Sequence, residues 1–394
     1  MQTVVLAAGR GSRMEPLTTT TPKPMLPVAG RPLVEHTARG AVAAGASSLV
    51  FVVGYRGDTV REHFGASYDG VPISYAEQDQ QHGTADALSA ASDHLDGPFV
   101  VLNGDDLYDP TSLAGLYGAS PAVGGYTVED PTAYGVLSVD AGEVIDITEK
   151  PADPPSNVVN TGAYRFPAVA AEWAATVDRS PRGEQEITDL LARVIKEFDV
   201  GLVPVERWLG VGRPWELLAA NEWQLGSIER QIAGEVAPDA ELRGDVVLEA
   251  GATVDSGVVV EGPALIRSGA SVGPNALIRG ATLLEEDVHV GHGVEVKNSV
   301  LMAGTNIPHL SYCGDSVLGP DVNLGAGTQL ANLRHDEADV RMTVEGTTVS
   351  TGRRKMGLVA GAGVRTGVNV SVDPGVVLSD GAEIAPGTRV SADR

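Results

Sequence analysis

The chain has 394 residues, a formal net charge of −24 at pH 7, 43% hydrophobic residues and 5% aromatics. That length allows two domains, and the acidic excess excludes nucleic-acid and anionic-membrane partners, which need clustered Lys and Arg. Its one cysteine, Cys313, excludes an internal disulfide framework and fits a reducing cytosol. No run reaches the length of a membrane span, and the first residues do not read as a signal peptide, so a soluble cytoplasmic protein is expected. The acidity is spread along a chain with only five lysines, which points to a halophile that keeps salt inside.

In chain order, residues 3–7 read as a strand. A loop over residues 6–27, LAAGRGSRMEPLTTTTPKPMLP, follows. Gly9 and Gly11 let backbone N–H groups approach phosphate oxygens, and Arg13 and Lys23 add positive charge. The spacing is neither G-x-G-x-x-G nor a P-loop. Residues 32–44 read as a helix stopped by Gly45, 48–53 as a buried strand, 58–64 as a helix and 73–76 as a strand. Residues 84–91 read as a helix and 99–102 as a strand that ends in Asn103-Gly104-Asp105-Asp106. Alternating elements predict a mostly parallel sheet covered on both faces, with ligands beyond the carboxyl ends of the strands. Carboxylates at such a strand end suggest Mg²⁺, although taken alone Asp105 and Asp106 equally fit a solvated turn.

Residues 214–235 carry helix-period apolar positions (Leu217, Leu218, Trp223, Leu225, Ile228) and read as a linker helix. The period then changes. Leu242, Leu248, Val254, Val260, Ile266, Val272, Ile278, Leu284, Val290 and Val296 are spaced by six. A hexapeptide period marks a parallel β-helix. It resumes at Leu318, Leu324 and Leu330, again at Leu358, Val364 and Val370, and in a shifted register at Leu378, Ile384 and Val390. Residues 302–317 and 333–355 are therefore expected to project as loops.

The string G-x-G-[ST]-R-x-x-P-L-T followed by P-K-P-M resembles the signature of the sugar-phosphate nucleotidyltransferases. The resemblance implies a Rossmann-like mixed sheet as the nucleotidyltransferase domain, over residues 1–213. It makes Leu6, Ala8, Gly9 and Gly11 nucleotide-binding, Arg13 and Lys23 catalytic, and Asp105 the ligand of Mg²⁺. Gln78, Gly83 and Thr84 match the family's base pocket. Gly135, Glu149, Lys150, Asn160 and Gly162 match the groups that hold the sugar and its phosphate. LAAG is typical of the uridylyl-transferring branch, which favours UTP. There is one departure: the family's second Mg²⁺ ligand, an Asp, aligns with Gly210.

The stretch from VEVKNS through HLSYCGDS to NLGAGTQLANLR resembles the acetyltransferase half of the bifunctional enzymes that make UDP-N-acetylglucosamine, archaeal members above all. That resemblance implies a left-handed β-helix over residues 236–394, packed as a homotrimer, with acetyl-CoA as co-substrate. His309 then stands as general base. Glu295, Lys297, Tyr312, Asn332 and Arg341 match the sugar-phosphate ligands, and Ala326 a backbone contact to acetyl-CoA. The implied activity is acetyl transfer to glucosamine 1-phosphate followed by uridylyl transfer to the product. The rivals are a nucleotidyltransferase for another sugar 1-phosphate (glucose 1-phosphate with UTP or dTTP) with an oligomerising β-helix, an acetyltransferase with an impaired first domain, and a regulatory subunit without activity.

Overall fold

The computed structural model describes all 394 residues. They form two compact units. One comprises Met1–Arg10, Pro22–Met25 and Pro32–Gly210; the other comprises Gly11–Thr21, Leu26–Arg31 and Val211–Arg394.

The first unit is built on a ten-stranded mixed sheet. At its centre the Gln2–Ala7 strand lies parallel to Ser48–Val53 on one side and to Phe99–Asn103 on the other. Val71–Glu77 extends the parallel part, and Val158–Phe166 adds antiparallel to Phe99–Asn103. Alternation along each strand divides the core in two, because successive side chains point to opposite faces. Val4, Val50, Val52 and Val101 pack with Leu88 and Leu190. Val5, Phe51 and Leu102 pack with Val34 and Ala38. Each of the Val, Leu and Phe side chains among these, fully buried, contributes roughly 1.5–3 kcal/mol relative to exposure. The helices expected from the alternation therefore cover both faces. The carboxyl ends of the parallel strands carry the loops, residues 104–105 after Phe99–Asn103 among them.

In the second unit the Pro214–Leu225 helix begins with Pro at its first turn. It stops at Gly226, whose N–H bonds Glu222 O, and does not run to residue 235. Residues Gln231–Ile232 already pair with the Val246–Leu248 strand as the start of the solenoid. Ile228 keeps the helical spacing but lies past the helix end, its N–H bonded to Leu225 O.

The hexad repeat forms a left-handed parallel β-helix. Its strands stack in register, Leu248 on Ile266 on Leu284, so one coil takes eighteen residues. Residues 302–317 are not a projecting loop. Leu301 pairs with Leu284 and Leu318 with Leu301, and Asn306–His309 and Tyr312–Gly314 are strands within the coils. Two coils are each one residue short, and a small change at a corner breaks the six-residue count without breaking the stack. Cys313 also hides the period, since it fills an inward position paired with Val296 and Leu330. The register shift expected near Leu378 is likewise absent. Leu318 stacks on Ala360 and Ala360 on Leu378. Leu358, Val364 and Val370 are buried two residues earlier in their hexads, where most coils have a small residue. Residues 333–355 do leave the prism. They carry an antiparallel hairpin of Arg341–Val344 and Thr347–Ser350, closed at its base by a bridge between Leu333 and Lys355.

Candidate functional site

In the first unit, Leu6, Ala8, Gly9, Lys23, Gln78, Gly83, Thr84 and Asp105 line one cavity of about 310 Å³. They come from the loops after three parallel strands and from the start of the Thr84–Ala90 helix. Gly83 has φ +121°, and a Cβ there would stand 2.4 Å from Gln185 O, so only glycine lets the chain pass. Gln78 donates to Gly83 O at 3.0 Å and to Asp86 Oδ2 at 2.7 Å, which fixes its amide at the cavity wall. Gln81 and Glu184 also line the cavity and were not singled out by sequence. Gln81 donates to Ala8 O at 2.8 Å. Gly11 and Arg13 are not in this lining. They belong to the second unit, where Gly11 has φ +77° and Arg13 Nη2 lies 3.3 Å from where a Cβ on Gly212 would stand.

Lys23 is buried and forms an ion pair with Asp105. Asp106 is buried beside them; Asn103 Nδ2 donates to it at 3.0 Å, and the Tyr108 hydroxyl is 3.4 Å away. Burial, and next the Asp105 charge, push its carboxyl well above the usual carboxylate range, to about 8. No three His, Cys, Asp or Glu side chains gather as a metal cage in the chain. Mg²⁺ does not need one, since it takes one or two carboxylates and completes its shell with water and phosphate oxygens. The neighbouring oxygens of Asp105 and Asp106 fit that demand. Gly210 pairs with Asp106 across two short antiparallel strands and offers no oxygen from a side chain.

The residues matched to the sugar stand on neighbouring strands, Lys150 just past the end of one. Gly135 pairs with Glu149, and a Cβ on Gly135 would reach 3.0 Å from Glu149 Oε2. Glu149 accepts from Arg182 at 3.0 Å and has Lys150 at 3.8 Å. Asn160 donates to the Tyr164 hydroxyl at 2.5 Å and accepts from Gly162 N at 3.0 Å. Gly162, with φ +71°, comes so close to Asn103 that a Cβ would lie 2.0 Å from its Nδ2. Arg182 joins this group with no local sequence signal.

In the second unit, Glu295 and Lys297 pair with Tyr312 and Gly314 on the next coil. Lys297 Nζ donates to Asp315 Oδ2 at 2.6 Å. Asn332 Nδ2 donates to the same Asp315 oxygen at 2.5 Å and to the Tyr312 hydroxyl at 3.0 Å. Burial raises the Tyr312 phenol above its ordinary value, so it stays protonated. A Cβ on Gly314 would lie 2.3 Å from the Tyr312 hydroxyl, so the glycine keeps this space open. Asp315 and Asn298 occupy the shortened corners of two coils, both with positive φ (48° and 47°). Asn and Asp tolerate that conformation better than other side-chain-bearing residues.

His309 is exposed at the end of its strand, one coil above His292. Its carbonyl accepts from Gly327 N at 3.0 Å and Ser311 Oγ at 2.8 Å, which pins the backbone. Ala326 O accepts from Asn369 N at 2.8 Å. Arg341 donates across its own hairpin to Thr348 O and not to the Tyr312 cluster. Arg279 does join that neighbourhood through Glu295, at 2.6 Å. It stands one coil before Lys297 in register, so the hexad period held a signal for it. Asp315 and Asn298 gave none, because their partners are a coil away.

A family model described as nucleotidyl transferase matches residues 2–225, and one described as the GMPPB C-terminal domain matches residues 260–362. A bifunctional sugar-1-phosphate nucleotidylyltransferase/acetyltransferase of Sulfurisphaera tokodaii is 36% identical over 398 residues, which covers 100% of this chain and 98% of that protein. The bifunctional protein GlmU of Methanocaldococcus jannaschii is 37% identical over 395 residues, covering 100% of this chain and 95% of the relative. A solved UDP-glucose pyrophosphorylase with bound UDP-glucose superposes with a TM-score of 0.52 at 25% identity, covering 56% of this chain and 96% of that one.

Proposed function

We propose, from the premise that the chain belongs to the nucleotidyl transferase family and along its whole length to the bifunctional sugar-1-phosphate nucleotidylyltransferase/acetyltransferases, that it catalyses two successive steps. The first moves acetyl from acetyl-CoA to glucosamine 1-phosphate. The second joins the product to UTP and releases pyrophosphate. The convergence of Gly9, Lys23, Gln78, Thr84 and Asp105 on one cavity is the observation that carries the nucleotidyl step.

For acetyl transfer, the sugar ammonium must first lose a proton. His309, with its backbone pinned and its ring exposed, is the base we assign. The freed amine bonds to the thioester carbonyl carbon, the carbon–sulfur bond breaks, and the nitrogen's surplus proton ends on the departing sulfur, so CoA leaves as the thiol. Lys297, Tyr312, Asn332 and Glu295 hold the sugar phosphate, and the Ala326 backbone faces acetyl-CoA. Arg341 is assigned to the phosphate on the resemblance alone.

For nucleotidyl transfer, a phosphate oxygen of N-acetylglucosamine 1-phosphate bonds to the α-phosphorus of UTP. The bond to the β-phosphate oxygen breaks and pyrophosphate departs. Lys23 supplies fixed positive charge at the cavity wall, and Gly9 offers backbone N–H groups without a Cβ in the way. Gln78, Gly83 and Thr84 hold the base; Glu149, Lys150, Asn160, Gly135 and Gly162 hold the sugar. Gly11 and Arg13 are assigned to the triphosphate. Mg²⁺, when bound to Asp105 with Asp106, would neutralise charge on the phosphates. A homotrimer through the β-helix completes the reading.

The test supplies purified protein with glucosamine 1-phosphate, acetyl-CoA, UTP and Mg²⁺ in high KCl, and follows CoA and pyrophosphate separately. Both products are expected. CoA alone would leave an acetyltransferase, the reading that Gly210 favours. Pyrophosphate from glucose 1-phosphate without any CoA release would leave a nucleotidyltransferase for another sugar.

A further inference from the structure

Glu222 lies on the Pro214–Leu225 helix, within the segment that matches the nucleotidyl transferase family, yet its side chain serves the β-helix. Its Oε1 accepts from Asn298 Nδ2 at 2.7 Å and from Arg353 Nη2; its Oε2 accepts from Arg353 Nη1 at 3.2 Å. Asn298 Nδ2 also donates to Asp315 Oδ1 at 2.9 Å. Asp315 in turn holds Lys297 and Asn332, and Asn332 holds the Tyr312 hydroxyl. The chain of hydrogen bonds from Glu222 to Tyr312 has no gap.

We propose that Glu222 is a positioning residue for acetyl transfer, setting the orientation of Lys297 and Tyr312 through Asn298 and Asp315. This rests on the acetyltransferase reading of that cluster. Asp315 is buried, with 2% of its surface exposed, and each of its two oxygens is taken. Lys297 and Asn332 hold one oxygen and Asn298 holds the other, so Asn298 fixes the rotation of the carboxylate about the first anchor. The Asn298 amide donates in two directions, to Asp315 and to Glu222, so removing Glu222 lets it turn. The pairing is also balanced in charge, since Glu222 and Asp315 face Arg353 and Lys297. Arg353 Nε is buried without a partner, so the guanidinium depends on Glu222 for its place. Loss of the Glu222 charge would leave Arg353 free to compete for Asp315, and Lys297 would lose its fixed partner.

The experiment compares Glu222→Gln and Glu222→Ala with the unchanged chain, measuring CoA release against glucosamine 1-phosphate, pyrophosphate release from N-acetylglucosamine 1-phosphate, and Tm. Expected for Glu222→Ala is a KM for glucosamine 1-phosphate raised about tenfold, with kcat within about threefold, since binding geometry is lost but the base is not. Glu222→Gln keeps an acceptor for Asn298 and should fall between the two at unchanged Tm. Asn298→Ala should reproduce the raised KM. Pyrophosphate release should stay the same in all three. An unchanged KM in Glu222→Ala overturns the proposal alone. A joint fall of both activities with Tm also overturns it, since the carboxylate would then merely dock the helix. If the unchanged chain releases no CoA, the acetyltransferase reading fails and this proposal with it.

Discussion

Gly210 faces Asp106 across paired strands, and a Cβ on Gly210 would stand 3.0 Å from Asp106 Oδ1. The absent side chain thus leaves the Asp106 carboxyl group its room on that side. An acid at position 210 brings a second carboxyl group against the buried Asp106, which already feels the Asp105 charge. Gly210→Asp should lower stability by about 1–3 kcal/mol through an uncompensated buried charge, and lower pyrophosphate release with it. Combining it with Asp106→Asn should recover most of the loss. Thermal unfolding and pyrophosphate release read both; wild-type behaviour of the single variant would show that the wall has room for two acids.

The two activities should separate by single substitutions. Lys23→Gln removes the cation paired with Asp105 at the cavity of the first unit. Pyrophosphate release should drop about a hundredfold, the scale of one lost electrostatic group. CoA release should not change. His309→Ala should do the reverse. CoA is followed from glucosamine 1-phosphate and pyrophosphate from N-acetylglucosamine 1-phosphate; if either variant then loses both products, the two-site picture is wrong.

Cys313 is fully buried in the β-helix, and burial pushes its thiol up to about 12. The thiolate is the reactive form, so the native protein should resist iodoacetamide near pH 8 and take the label only when unfolded. Mass spectrometry of native and denatured samples distinguishes the two. Cys313→Val, close in volume and inside an aliphatic column, should change stability by less than about 1.5 kcal/mol.

A net charge of −24 repels itself, and salt shortens the reach of that repulsion from ~10 Å at 0.1 M to ~3 Å at 1 M. Tm should therefore climb as KCl rises through that range. A Tm that is flat or falls with salt would argue against a high-salt protein.

The parts legible in sequence were those with a local signal. Strand–helix alternation predicted a sheet covered on both faces. The motif residues Gly9, Lys23, Gln78 and Thr84 could be named because each stands in a contiguous string, and they line one cavity. The β-helix was legible from its period until residue 296. Beyond it, two short corners and a cysteine at an aliphatic position suggested a loop where the coils continue. Asp315, Asn298, Arg353 and Glu222 were missed because their partners lie from about a coil to 131 residues away. No window along the chain holds two members of that network and its reason.

The shortened corners also say where this solenoid tolerates change in length. Leu284, Leu301 and Leu318 remain stacked although a residue has gone from each turn between them. The same deletion within a strand would turn an inward aliphatic outward. Corners are therefore the places where such a chain can lose residues, and full-length and shortened corners alike turn through a left-handed residue, Gly244 and Gly280 in the one case and Asn298 and Asp315 in the other. The stacking of one coil on the next brings Asn298 and Asp315 together. A gap in an alignment, ordinarily read as dispensable sequence, here marks the residues that give the corner its polar chemistry.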